Sequence, residues 1–414
     1  MNPSTASPKS SPGSIPTASA SGPVPERLMS LDALRGFDMF WIAGGGLMVG
    51  ALERWTSLPL LVAIRQQLSH VEWAGFRFYD LIFPLFVFMV GASISFSVPR
   101  SVARVGKAAT VRKILTRGVV LFLIGLFYSG GLKTPLGDLR VLGVLNRIAL
   151  CYTAAGMLFV FLNVRALIAV FAALLLGYWG MMAQVPIRDI RLAPKPLEEL
   201  AAARGQTNVA VLFEQTTERV RGHYEPGYNL ANHVDFQYLP GRLYDRYYDP
   251  EGILSTLPAI GSCLLGLFAG LWLQRKEPGP SRRSLGLMAA GVVSVLLGHL
   301  WSLEFPIVKK LWTSSFVLVA GGYSLILMGV FHQVVDVWGW RKWCQPFVWV
   351  GSNALTIYLA AQILNYRKVA ERLAGGPVKG LFGGAGDAFV ALVAIFVLFW
   401  FARFLYQRRI FLRV

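Results

Sequence analysis

Ten stretches of this chain are each long and apolar enough to cross a bilayer as a helix, which takes roughly 20 residues. They run over 31–50, 80–98, 117–132, 141–162, 165–184, 253–274, 284–302, 312–333, 345–364 and 386–406. In lipid the backbone must satisfy its own polar groups, which leaves helices or closed barrels. Runs of this length exceed any barrel strand. The expected fold class is therefore all-α, a polytopic integral membrane helical bundle. Composition agrees: 55% of residues are hydrophobic, 15% are charged and the mean hydropathy is +0.52. A soluble domain carries about 25% charged residues, so a soluble enzyme and a disordered chain are excluded. In a soluble protein the net charge of +18 would suggest nucleic acid. In a membrane protein it reads as basic cytoplasmic loops, and no nucleic-acid partner is expected. Cys151, Cys263 and Cys344 are too few and too scattered for a disulfide framework.

Residues 1–27 are rich in Ser, Pro, Ala and Thr and read as a disordered cytoplasmic leader. They lack the basic and short apolar regions of a signal peptide. Residues 28–414 form one expected transmembrane domain. Ten spans put both termini on one side. The short loops on that side are the richer in Lys and Arg once the long 185–252 loop is set aside, so both termini are expected in the cytoplasm. Loops 51–79, 185–252 and 365–385 then lie outside. The largest holds Tyr224, Tyr228, Tyr238, Tyr244, Tyr247 and Tyr248 among polar residues. Such a mixture suits a carbohydrate surface or a membrane-interface belt.

Ionisable residues within spans are costly and point to function. Asp32 and Arg35 are three apart in the first span and can pair on one helix face. That pair is either a neutralised interface pair or part of a ligand site. Arg147 lies inside the fourth span and needs an anion, a carbonyl or water; Asp80 and Asp38 are candidate partners. His70 precedes the second span. It is either a surface histidine or a proton carrier at the mouth of the bundle. Asp249 and Glu251 open the sixth span, where the helix dipole favours carboxylates. Asn353 can hydrogen-bond within the ninth span. His223/Glu225 and His233/Asp235 lack compact ligand spacing, so no metal is expected.

Together these segments resemble the heparan-alpha-glucosaminide N-acetyltransferase family of transmembrane acyltransferases. The resemblance rests on Ser30-Leu31-Asp32 with Arg35-Gly36, on His70-x-x-Trp73-x-Gly75, and on Asp80-Leu81-Ile82-Phe83-Pro84. It continues through Gly143-Val144-Leu145 with Arg147, Asp249-Pro250-Glu251-Gly252, Lys310-Leu311-Trp312-x-x-Ser315 and Asn353. It implies transfer of acetyl from cytosolic acetyl-CoA, as co-substrate, to a terminal glucosamine-type sugar or glycan across the membrane. Catalysis falls on His70, as general base or as acetyl carrier. The resemblance leaves Arg147, Asp80 and Asn353 to orient the acceptor or the thioester, and Arg35, Arg112 and Lys113 to bind CoA. A bacterial inner-membrane member fits the compact form, and a homodimer is one assembly open to such a bundle. The first span ends in Gly44-Gly45-Gly46, where animal members carry a nearby asparagine, so the acceptor stays open. Two other functions compete: a carrier of anionic solutes using Arg35 and Arg147, and an O-acyltransferase of envelope polysaccharide.

Overall fold

The computed structural model describes residues 28–412. The expected leader, 1–27, lies outside the described residues. The chain enters as α1 (Met29–Phe40), passes a π-helical turn at Trp41–Gly45, and continues as α2 (Gly46–Thr56). Next comes α3 (Phe78–Tyr128), then α4 (Val144–Phe161), α5 (Val164–Gln184), α6 (Thr256–Leu273) and α7 (Pro280–Trp301). The remainder is α8 (Ser314–Phe331), α9 (Gln345–Gly351), α10 (Ala354–Leu364) and α11 (Gly386–Gln407).

Seven helices are long and apolar enough to cross a membrane. This makes the protein an all-α, multi-pass membrane protein. The seven account for eight of the ten expected spans, because α3 is 51 residues long and holds two of them. The other two, 31–50 and 345–364, are helical but broken. The segment expected as a loop between the second and third spans is helical on both sides of a break at Gly106, where the chain turns back and brings Thr110 Oγ1 to 3.0 Å from Ser101 Oγ. Only Gly106 departs from helical geometry, with φ of +81°, a conformation that glycine reaches without steric cost. The ninth span breaks at Ser352–Asn353, between α9 and α10, so Asn353 sits in a gap rather than within a helix.

Glycines let the helices touch backbone to backbone. A Cβ on Gly91 would lie 1.7 Å from the Cys263 carbonyl oxygen, and one on Gly266 would lie 1.8 Å from that of Phe88. These contacts seat α3 on α6. Gly36 and Gly351 make the equivalent crossing of α1 on α9.

The two ends of the bundle differ. Arg54 approaches Asp387 at 3.9 Å, and Phe40 stacks on Phe399 at 5.8 Å. The first and last spans thus run antiparallel, and the two ends of the described chain share one end of the bundle. Arg35 bonds Ser93 there, and Gln274 bonds Ser95. The opposite end carries the 57–77 connection, residues 185–255 and the 302–313 connection. Residues 185–252 are folded, with short helices Pro194–Arg204, Val209–Gln215 and Leu230–Tyr238. Ile187–Arg188 pairs antiparallel with Arg219–Val220. Tyr247 and Tyr248 pack into this unit's own core with Phe213 and Trp73. Tyr228 bonds Asp189, and Tyr224 packs on Phe305. Only Tyr238 and Tyr244 of the six tyrosines stay largely exposed.

Candidate active site

One cavity of about 920 Å³ runs through the bundle beside α3. At one end its wall carries His70, Glu72, Asp80, Lys309 and Arg140, and further along it carries Arg35, Ser93, Ser97 and Arg117. Asp80 and Ser97 are both on α3, 17 residues apart, which spans about 25 Å of helix. Between them the wall is apolar, formed by Phe83, Phe86, Val90, Ile94 and Trp312. A second cavity of about 460 Å³ adjoins the basic end, sharing Ser97, Arg117 and Tyr152 with the first. It adds Arg100, Arg104 and Lys113.

At the other end His70 Nδ1 lies 2.7 Å from Asp80 Oδ1. A carboxylate only accepts hydrogen bonds, so Nδ1 carries the proton and, in the neutral ring, Nε2 holds the free lone pair. Asp80 is sealed, with its side chain 1% exposed, whereas that of His70 is 53% exposed. One partner is fixed and the other is open to solutes. Asp80 sits in the first turn of α3, where its Oδ2 accepts from the Arg77 amide at 3.2 Å and the Val71 amide at 3.4 Å. These bonds and the helix dipole hold it ionised-side in. Lys309 completes the cluster, with Nζ 3.5 Å from Asp80 Oδ1 and 3.2 Å from His70 Nδ1. Burial lowers the Lys309 pKa, against the pull of Asp80 and Glu251.

The stretch that holds His70 is anchored on both sides. The Gly75 amide donates to the Ile307 carbonyl at 2.9 Å, and Trp73 Nε1 donates to the Tyr224 carbonyl at 2.7 Å. A wall of charge faces it. Arg140 grips Asp249 through Nε at 2.8 Å and Nη2 at 2.6 Å, and it also bonds Glu251. Burial alone would lower the Arg140 pKa; the two carboxylates reverse this and raise it. Asp249 and Glu251, read from sequence as dipole partners of a helix start, are the ligands of this arginine. Tyr244 stacks on the same guanidinium at 4.8 Å, and Lys310 pairs with Asp245 at 2.7 Å.

The residues singled out in the sequence separate into groups. His70, Asp80 and Arg35 line one cavity. Arg35 pairs with Asp32 at 3.3 Å, as the i, i+3 spacing suggested, and donates to Ser93 Oγ at 2.7 Å. Lys113 lines the adjoining basic cavity, while Arg112 is exposed and lines neither. Arg147 is fully buried behind the wall. It donates to the Gly252 carbonyl at 3.3 Å and to Ser255 Oγ, and stacks on Trp312 at 5.0 Å. Neither Asp80 nor Asp38 bonds it. Asn353 is buried off the cavity, with no hydrogen-bond partner for its side-chain amide among the described residues. His233 is a core histidine. Burial pushes its pKa down to about 4, and its Nε2 meets the Ile190 carbonyl at 3.1 Å.

Sequence reasoning missed Lys309 and Arg140. Lys309 stands beside the Lys310-Leu311-Trp312 motif but reads as an ordinary interface cation. Arg140 had a signal: two carboxylates at the mouth of a span need a cation, and Arg140 precedes the fourth span. No group of three or more His, Cys, Asp or Glu residues suited to a metal occurs among the described residues.

The fold and cavity define a polytopic, all-α membrane protein with a histidine–carboxylate pair at one end of a long channel and a basic basin at the other. No family model matches the chain. Heparan-alpha-glucosaminide N-acetyltransferase of Homo sapiens is 26% identical over 387 residues, covering 83% of this chain and 54% of the human protein. The Mus musculus protein of the same name is 25% identical over 352 residues, covering 74% and 51%. The chain spans about half the length of the curated relatives it matches. The likeness agrees with the family that the motifs of the chain resemble.

Proposed function

We propose that this protein is a membrane acetyltransferase that carries acetyl from acetyl-CoA to an amino sugar or glycan. The observation that carries the reading is the continuous cavity, which joins a phosphate-attracting basic end to a histidine–carboxylate pair through an apolar channel. CoA is built the same way: charged phosphates, then a long arm, then the thioester. Guanidinium and ammonium groups suit phosphate, and Arg35, Arg104, Lys113 and Arg117 supply them. The arm lies along Phe86, Val90 and Ile94 and presents the thioester near His70. With the basic end in the cytoplasm, the histidine end and residues 185–252 face the far side, in agreement with the distribution of basic loops.

The acceptor amine arrives as an ammonium. One proton passes to His70 Nε2, and the freed nitrogen attacks the thioester carbon. The N–C bond forms, the C–S bond breaks, and the departing sulfur takes the second proton from nitrogen. CoA thiol and an amide result, and His70 returns its proton to water. Asp80 holds the ring in the tautomer that leaves Nε2 free and offsets the charge that His70 gains. Direct transfer is favoured over an acetyl-histidine intermediate, because a ring already backed by a carboxylate serves as a base without further change. Trp312, held by Arg147 from behind, keeps the channel wall in place. Orientation of the acceptor by Asn353 is not part of this reading, since that amide lies off the cavity.

The test is direct. Purified protein supplied with acetyl-CoA and glucosamine is expected to release free thiol and form N-acetylglucosamine in equal amounts. Release of thiol without acetylated sugar would make water or another acceptor the substrate. No release with any amino sugar or envelope glycan would defeat the reading.

A further inference from the structure

We propose that Lys309 is a positioning residue whose ammonium keeps the His70 imidazole neutral at working pH. The inference rests on the reading of His70 as the base, and nothing in the family likeness assigns Lys309 a part. Lys309 Nζ, His70 Nδ1 and Asp80 Oδ1 form a closed triangle with sides of 2.7, 3.2 and 3.5 Å. The lysine is not a freely reaching surface side chain. It is 20% exposed and belongs to the short turn Lys309–Leu311. The pairing of Ala74 with Val308 fixes that turn to the segment bearing His70.

A carboxylate alone behind an imidazole favours the imidazolium. A base that is already protonated cannot take a proton from the acceptor. An ammonium beside the same ring nitrogen opposes the second positive charge, and it shares the carboxylate that would otherwise serve His70 alone. The other groups around the ring act from further off. Tyr79 packs on it at 4.8 Å between centroids, and Arg77 donates to the His70 carbonyl at 3.2 Å rather than to the ring. Glu72 lines the same cavity, and Glu251 acts on Lys309. Among the described residues, Asp80 and Lys309 come closest to Nδ1, at 2.7 and 3.2 Å; Asp80 accepts its proton, and the ammonium acts there as a charge rather than as a bond partner.

The sign of the effect follows. Loss of the Lys309 charge leaves Asp80 to favour the protonated ring, so His70 is expected to hold its proton to higher pH. Lys309→Gln is expected to lose transfer near pH 6.5 and to regain most of it in alkaline buffer. Lys309→Arg keeps the charge and is expected to keep the parent profile. Two measurements on the full-length protein in detergent decide the matter. One is the pH profile of kcat/KM with acetyl-CoA and glucosamine. The other is the NMR titration of His70 in histidine-labelled protein, assigned by its absence in His70→Ala. An upward shift of both in Lys309→Gln supports the proposal. A folded Lys309→Gln protein whose His70 titrates as in the parent overturns it. Equal loss of turnover at every pH also overturns it, since Lys309 would then act on the substrate or the fold. If the parent transfers no acetyl at all, the acetyltransferase reading fails, and the NMR titration alone decides the effect of Lys309.

Discussion

His70 takes its chemistry from one sealed neighbour. Its exposed side chain contributes little to packing, so His70→Ala is expected to fold and to bind acetyl-CoA normally at the far end of the cavity. Turnover is expected to fall roughly 10²–10⁴-fold, the usual worth of a general base. Thiol release under saturating acetyl-CoA measures it, and near-parent turnover in a folded variant would remove the residue on which the mechanism depends. Asp80→Asn asks a narrower question. The amide can turn its NH₂ toward Nδ1 and reverse the tautomer, and such a swap behind a catalytic histidine costs up to about 10⁴-fold. The expected result is a fall in kcat with little change in KM for acetyl-CoA; a parent-like kcat would leave Asp80 as a helix-start ligand only. His70 and Asp80 were each singled out in the sequence, but not as a pair, since Asp80 reads there as a candidate partner of Arg147 or as an orienting group. Lys309 and Arg140 were not, because their partners come from distant segments and only the packed bundle brings them together. Arg147 was legible as a buried cation, but its distance from the cavity depends on Trp312, which stands between.

The helices owe their positions to small residues at a few crossings. Gly91→Leu would drive a side chain into the Cys263 carbonyl, where even a Cβ would lie 1.7 Å from the oxygen. Neither backbone can yield without separating α3 from α6. The expected loss exceeds about 4 kcal/mol, the range reserved for severe core disruption. It would appear as failure to purify a monodisperse protein or as a large fall in thermal midpoint. Gly46→Ala is the control: a Cβ there meets nothing within 4 Å, so stability is expected to be unchanged or slightly raised. Equal behaviour of the two variants would contradict the crossing geometry. Apolar run length made these helices legible, because lipid leaves the backbone few choices. It could not reveal that helix reaches Gly106 from both the second and the third span, leaving one non-helical residue at the turn. Pro99 and the charged run from Arg100 read as a loop, whereas the basic residues there stay helical and line the second cavity.

The whole molecule is a channel with two unlike ends, and both the orientation and the continuity of that channel can be tested. Membrane-impermeant thiol reagent added from outside is expected to label Asn208→Cys but not Lys107→Cys, on a background lacking Cys151, Cys263 and Cys344; the reverse pattern would put the basic end outside and exclude cytosolic acetyl-CoA. Continuity is tested in the middle. Val90 lines the channel between the two ends, on the same helix as Asp80 and Ser97. In Val90→Trp an indole projects into the space assigned to the CoA arm. Val90 is ten residues from Asp80 and seven from Ser97 along this helix. The phosphates should still find their arginines, so adenosine 3′,5′-bisphosphate, the nucleotide end of CoA, is expected to bind with nearly unchanged affinity. Acetyl-CoA is longer and must thread the plug, so its kcat/KM is expected to fall at least about tenfold, which corresponds to about 1.4 kcal/mol. Smaller side chains should restore it, with Val90→Ala at or above the parent. Loss of both ligands would mean that the variant has deformed the bundle, which the thermal midpoint reports separately. Full activity of a folded Val90→Trp protein would mean that the acetyl group does not travel this way, and the two ends of the cavity would then need separate explanations.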